Sequence, residues 1–203
     1  MRTVGVMGRP LRQLIENGTY HVNTVGAGGI QVTRDAIDRE RLLRIAAYAV
    51  LKFGWQLHAY CLMSTHYHLV VTTPNGDLDR GMHVINGLYA RTFNKRHHRK
   101  GHLFGARYHA RLIESEGHAL NVVAYVPLNP CRAGLCELPE HWPWSSYAAT
   151  IGQRPRPAFL DDEWILRLFD QASASNARAL CRAFVTAIAL AEAADLAMPV
   201  SHR

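Results

Sequence analysis

WQLHAYCLMSTHYHLVVTT, residues 55–73, is the stretch on which the fold turns. Residues 55–63 and 67–73 are two β-rich runs, and the polar Ser64-Thr65-His66 between them reads as the turn of an antiparallel hairpin. Upstream, residues 19–25 (TYHVNTV) alternate as a strand does and are broken by Gly26, Gly28 and Gly29. Over residues 35–53, Ile37, Leu42, Ile45, Ala49 and Phe53 recur at helical spacing, and Gly54 follows as a stop. Downstream of the hairpin, Leu78, Met82, Ile85, Leu88 or Tyr89, and Phe93 mark one face of a second helix. Residues 108–114 then read as a fourth strand and 117–125 as a third helix.

The order β-α-β-β-α-β predicts an α+β protein with a ferredoxin-like split core: an antiparallel sheet, two helices on one face, and the other face free for a further helix or a ligand. Beyond it, residues 142–147 and 155–157 read as ordered loop, while 161–169 and 176–197 read as C-terminal helices that cap the open face or cover a cleft.

The 203 residues are 48% apolar and 19% charged, enough to bury a core and incompatible with disordered or fibrous classes. Lys and Arg number 23 against 16 Asp and Glu, a net charge of +7, which favours a polyanionic partner. No apolar run approaches the roughly 20 residues that a membrane span needs. The N-terminal residues carry Arg2, Arg9 and Arg12 without the apolar stretch of a signal peptide. A soluble, cytoplasmic, nucleoid-associated protein without membrane attachment is expected. Cys61, Cys131, Cys136 and Cys181 then read as reduced thiols, because a disulfide framework belongs to exported small domains.

Three features carry chemistry. His66 and His68, two apart in a strand, share a face, and two imidazoles aimed at one point suit a divalent ion. Tyr125 and Asn129, four apart, share a face if the third helix keeps phase, although Pro127 disfavours an unbroken helix. From Arg80 to Ile113 there are eight Lys and Arg, five His and no carboxylate, interleaved with Tyr89, Phe93, Phe104 and Tyr108. Such a run offers phosphate contacts together with base-stacking rings.

Arg9-Pro-Leu-Arg12, Tyr20-His-Val22, Ala59-Tyr-Cys-Leu-Met63, His66-Tyr-His68-Leu, Phe93-Asn-Lys-Arg-His97, Gly101-His-Leu-Phe104, Arg107-Tyr108, Tyr125-Val-Pro-Leu-Asn-Pro130, Arg132-Ala-Gly134 and Trp144-Ser-Ser-Tyr147 follow one another in an order that resembles the REP-associated tyrosine transposases, single-strand DNA transposases of the HUH type. The resemblance runs from about Arg9 to Val185. It implies a catalytic domain over residues 1–150 and a helical extension over 151–203. It also implies Tyr125 as nucleophile, and His66, His68 and Asn129 as ligands of Mg2+ or Mn2+. The implied partner is single-stranded DNA with hairpin structure, and the basic run makes Arg91, Lys95, Arg96, Arg107, Tyr108 and Arg111, with Arg132, the candidate DNA contacts. A monomer is expected, with a dimer as the alternative.

A phenol of pKa about 10 attacks a phosphodiester at neutral pH only when an ion polarises the phosphate, so tyrosine and metal must face each other. The sequence departs from the family at Val25 and Ala27, where relatives have Arg and Asn, and at Pro127, where His is usual. These departures define the alternative, a catalytically impaired, domesticated hairpin-binding protein. A third reading, a zinc hydrolase using His66, His68 and Cys61, fits phosphate chemistry less well.

Overall fold

The computed structural model describes residues 14–105 and 107–197. Arg9-Pro-Leu-Arg12 lies outside these described residues.

Four strands, β1 (Gly18–Val25), β2 (Gln56–Leu62), β3 (His66–Thr73) and β4 (His109–Leu112), form one sheet in the order β2-β3-β1-β4, with every pair antiparallel. Helix α1 (Ala36–Phe53) joins β1 to β2, and α2 (Leu78–Arg96) joins β3 to β4. Each helix returns the chain past a neighbouring strand, which is the split arrangement expected from the sequence. Asp35 caps α1 by accepting a hydrogen bond from the Asp38 amide, and Gly54 ends it with a left-handed φ of 66° that costs glycine little.

Alternation divides the core. Tyr20 and Val22 of β1, and Tyr67, Leu69 and Val71 of β3, face α1 and α2, where they meet Leu42, Ala49, Met82, Ile85, Tyr89 and Phe93. In β2 the register shifts between Leu57 and Ala59, so that Leu57, Tyr60 and Leu62 face these helices while Ala59 and Cys61 turn to the other side. The shift leaves His58 at the irregularity, bonded to the Asp161 carbonyl and to Thr72 Oγ1, each at 2.8 Å, and stacked on Trp164.

Trp55, at the entry to β2, lies across α2. Its Nε1 donates to Asp77 Oδ1 at 2.7 Å, which holds the indole in place, and a Cβ at Gly81 would stand 2.1 Å from the ring. Gly81→Ala is therefore expected to lower stability by about 1–3 kcal/mol through overpacking. Gly87→Ala, in the same helix with open space around it, should stabilise by about 0.4–1 kcal/mol. Urea unfolding of the two variants measures the contrast, and equal shifts would rule out the steric account.

The second sheet face is covered, as expected, by C-terminal helices. Helix α3 (Glu116–Arg132) crosses it, and α4 (Tyr147–Thr150), α5 (Glu163–Arg167) and α6 (Ala174–Ala197) complete the layer. Ala59, Cys61 and Val70 pack there against Val122, Val126, Tyr147, Ile165, Cys181 and Val185. Residues 144–161 also run along the outer side of β2. Leu62 N donates to Trp144 O, Ser146 N to Tyr60 O and Asp161 N to Leu57 O, with isolated bridges Cys61–Ser145 and Leu57–Leu160.

Boundaries differ from the sequence reading: β3 begins at His66, which reads as turn in the sequence, and α5 is shorter than residues 161–169. β4 is shorter than expected, and α3 runs on through Pro127 and Pro130 to Arg132. Pro130 has no N–H to offer the Val126 carbonyl, and Asn129 Nδ2 supplies a donor instead, at 3.4 Å to Val126 O and 2.7 Å to Tyr125 O. Burial of Val122, Val126 and Leu128 holds the helix on the sheet against the proline penalty. The helix ends at Gly134, where Gly134 N bonds to Cys131 O and Leu135 N to Pro130 O.

Candidate active site

β3 pairs with β1 in a register that sets Asn23 opposite His68 and Val25 opposite His66. His66 and His68 therefore point away from α1 and α2, under α3, with ring centroids 5.0 Å apart and ring planes at 88°. Thr65 Oγ1 lies 3.1 Å from His66 Nδ1. On the other side, His21 of β1 brings its Nε2 to 3.0 Å from His68 Nδ1, the two rings stacking at 5.1 Å. Both histidines of the pair are thus held through Nδ1.

Burial disfavours the charged form of each ring. It holds His68 down to about 3, with His21 and His66 adding to the shift and the Asn129 side chain opposing it. It holds His21 down to about 4, reinforced by His118 and Arg111, and lowers His66 as well. All three are neutral at pH 7, the state in which imidazole offers a lone pair to a cation. His68 Nε2 is buried and makes no hydrogen bond. The Asn129 side chain is close enough to act on His68, yet no hydrogen bond with regular geometry joins them.

Helix α3 lays Tyr125 over this group. Its ring stands edge-on to His68, centroids 5.5 Å apart and planes at 90°, and approaches His21 at 5.6 Å. The side chain is 41% exposed, so the phenol is reachable from solvent while one ring edge meets the histidines. Arg132, two turns on, sets its guanidinium carbon 5.0 Å from the Tyr125 ring centroid and donates from Nε to Glu192 of α6 at 2.9 Å. His21, Arg111, His118, Asn121, Tyr125 and Arg132 line a cleft of about 700 Å3 on this face.

The residues picked from the sequence divide into groups. His66, His68, Tyr125 and Asn129 come together. Arg111, paired with His21 across β1 and β4, and Arg132 lie beside them. Arg91 and Lys95 are exposed on α2, in the opposite layer, and Arg107 lines a groove of about 880 Å3 there with Lys52, Arg80 and His83.

Three of the expected DNA contacts are otherwise engaged: Arg132 with Glu192, as above, and Arg96 and Tyr108 within the fold. Arg96 forks onto Asp35 and Asp38, both at 2.6 Å, and His97 joins Asp38 at 2.9 Å, tying the end of α2 to the start of α1. Tyr108 is 6% exposed and packs in the core with Tyr89 and Phe93, so none of these three rings is offered to a base. Their helical or strand spacing is a core signal. Cys61 lies opposite His68 in register, but burial raises its thiol far above the usual range and its Sγ lies against Met63 Sδ. Among the described residues, no three His, Cys, Asp or Glu side chains converge on one point. The Asn129 side chain is a further polar group beside His68. His21 and His118 were missed, although His21 stands between apolar Tyr20 and Val22, and alternation alone sets it on the face of His68.

In sequence, a model of the IS200-like transposases matches residues 15–129. No curated protein matches the chain. Among solved structures, a REP-associated tyrosine transposase bound to a REP hairpin superposes with a TM-score of 0.62 at 18% identity, over 76% of this chain and 92% of that one, and so shares the fold. A Deinococcus radiodurans protein assigned as a transposase aligns with a TM-score of 0.42 at 20% identity, over 59% of this chain and 95% of its own. No helix among the described residues is long and apolar enough to cross a membrane. With the family model spanning the sheet, both of its covering helices and α3 as far as Asn129, the chain belongs to the IS200-like transposase family.

Proposed function

We propose that the protein cleaves and rejoins single-stranded DNA at hairpin, REP-like sequences through a 5′-phosphotyrosine on Tyr125, acting as a monomer. The observation that carries this reading is the edge-on approach of an accessible tyrosine to a buried histidine whose Nε2 has no hydrogen-bond partner. The hairpin bound by the structural neighbour supports the substrate class.

The donor set fits a divalent ion: two neutral imidazoles, one with an unused buried nitrogen, and an amide oxygen. His66, His68 and Asn129 would hold Mg2+ or Mn2+. When bound, the ion would polarise the scissile phosphate and offset charge as it develops. Tyr125 Oη would form the bond to phosphorus while the P–O3′ bond breaks, and the departing 3′ oxygen would gain the proton that the phenol gives up. A 3′-hydroxyl attacking the phosphotyrosine reverses the exchange and frees Tyr125, so phosphodiester energy is conserved and no ATP is needed. Arg132 stacks on the tyrosine ring and limits its rotamers while presenting positive charge. The binding-only alternative draws on Val25, Ala27 and Pro127, and the continuity of α3 through Pro127 weighs against the last of these alone.

The test incubates the full chain with single-stranded hairpins labelled at the 3′ end and Mn2+, followed by a denaturing gel. A labelled protein band is expected. A hairpin retarded on a native gel with no covalent band under any metal would favour the binding-only reading. The exposed α2 surface is expected to track hairpin phosphates. Arg91→Ala combined with Lys95→Ala should weaken binding to all hairpins and lower the slope of log affinity against log salt by roughly 1.5, and an unchanged slope would exclude this surface.

A further inference from the structure

The metal-facing nitrogen of His68 is set by a residue outside the ligand group. His21 Nε2 and His68 Nδ1 are 3.0 Å apart, and two ring nitrogens at that separation hold one proton between them. If the proton is on His21, the neutral His68 must carry its own on Nε2. There it would block the lone pair from any cation. If the proton is on His68 Nδ1, His21 accepts it, and Nε2 is left with an open lone pair toward Tyr125 and Asn129. Only the second arrangement leaves a ring lone pair open to a cation.

We propose that His21 is the positioning residue of this site: by accepting the His68 Nδ1 hydrogen it fixes His68 in the tautomer and ring orientation that present Nε2 to a divalent cation. The inference rests on the metal-dependent reading above. The stacking of the two rings at 25° adds a steric restraint to the hydrogen bond. His66 has a looser counterpart in the hydroxyl of Thr65, which rotates and either donates or accepts. His68 therefore depends on a single fixed acceptor. Strand geometry supplies it, because His21 and His68 sit diagonally across the β1–β3 ladder on one face.

Two variants separate this role from packing. His21→Phe keeps the stacked ring and removes the acceptor, while His21→Gln gives up the ring and keeps an acceptor. In the full chain without DNA, the nitrogen-15 spectrum of the histidine rings should show His68 protonated on Nδ1 in the wild type and in His21→Gln, and on Nε2 in His21→Phe. Mn2+ titration followed by electron paramagnetic resonance should show affinity reduced about 10–100-fold in His21→Phe and nearly restored in His21→Gln.

A wild-type His68 protonated on Nε2 overturns the proposal, as does a His21→Phe variant that is folded and binds Mn2+ as the wild type does. The expected tautomers without any Mn2+ uptake would support His21 as the residue that orients His68 and would sink the metal-dependent reading alone.

Discussion

Replacing Tyr125 by Phe is expected to abolish the covalent protein–DNA band while leaving hairpin affinity within about twofold. The substitution removes one oxygen and keeps the ring that stands edge-on to His68 and His21 and carries the Arg132 guanidinium, so the site should retain its shape. Without the nucleophile, cleavage should slow on the order of 10^3-fold or more, because no neighbouring hydroxyl replaces it on α3. Denaturing gels of wild type and variant on the same labelled hairpins give the comparison. Label that remains covalently bound to the Phe variant would mean that the nucleophile lies elsewhere.

The second large effect concerns the histidines. Chelation by EDTA, His66→Ala and His68→Ala should each reduce cleavage at least about a hundredfold, comparable to losing one preorganised charge-stabilising group, with hairpin binding retained. Because His68 is buried beneath α3, its alanine variant leaves a cavity, and melting curves must accompany the kinetics. His66 is only half-buried, so its variant should fold with little loss and serves as the cleaner case. Cleavage that survives EDTA would refute the metal reading even if Tyr125 is the nucleophile.

Much of this arrangement is legible in the amino-acid pattern because it rests on short-range rules. Period-two alternation in residues 19–25 and β-rich composition in 67–73 mark the strands, and helical spacing with Gly54 as a stop marks α1. The pairing of His66 with His68 needed only the pleat. What escaped depends on distant partners. Arg96 reads as a free cation until Asp35 and Asp38, some sixty residues earlier, are brought to it. Tyr89, Phe93 and Tyr108 read as stacking rings within a basic run, but helix and sheet burial decides their role. Pro127 reads as a break because local propensity counts only the lost amide, whereas burial of Val122, Val126 and Leu128 outweighs it. His21 is a single histidine whose meaning comes from a neighbour 47 residues away.

The loop along the outer side of β2 has a further bearing on how the protein behaves in solution. A sheet margin with unpaired amides and carbonyls is a template on which a second chain can add a strand, and seven-residue β2 offers the longer of the two margins here. Trp144, Ser146 and Asp161 occupy part of that template from within the same chain. The opposite margin, β4, is four residues long and carries Arg111. Residues 144–161 thus act as a stopper against strand addition between molecules, and a chain ending at Thr150 would lose the part at Leu160 and Asp161 and bare the Leu57 end of β2.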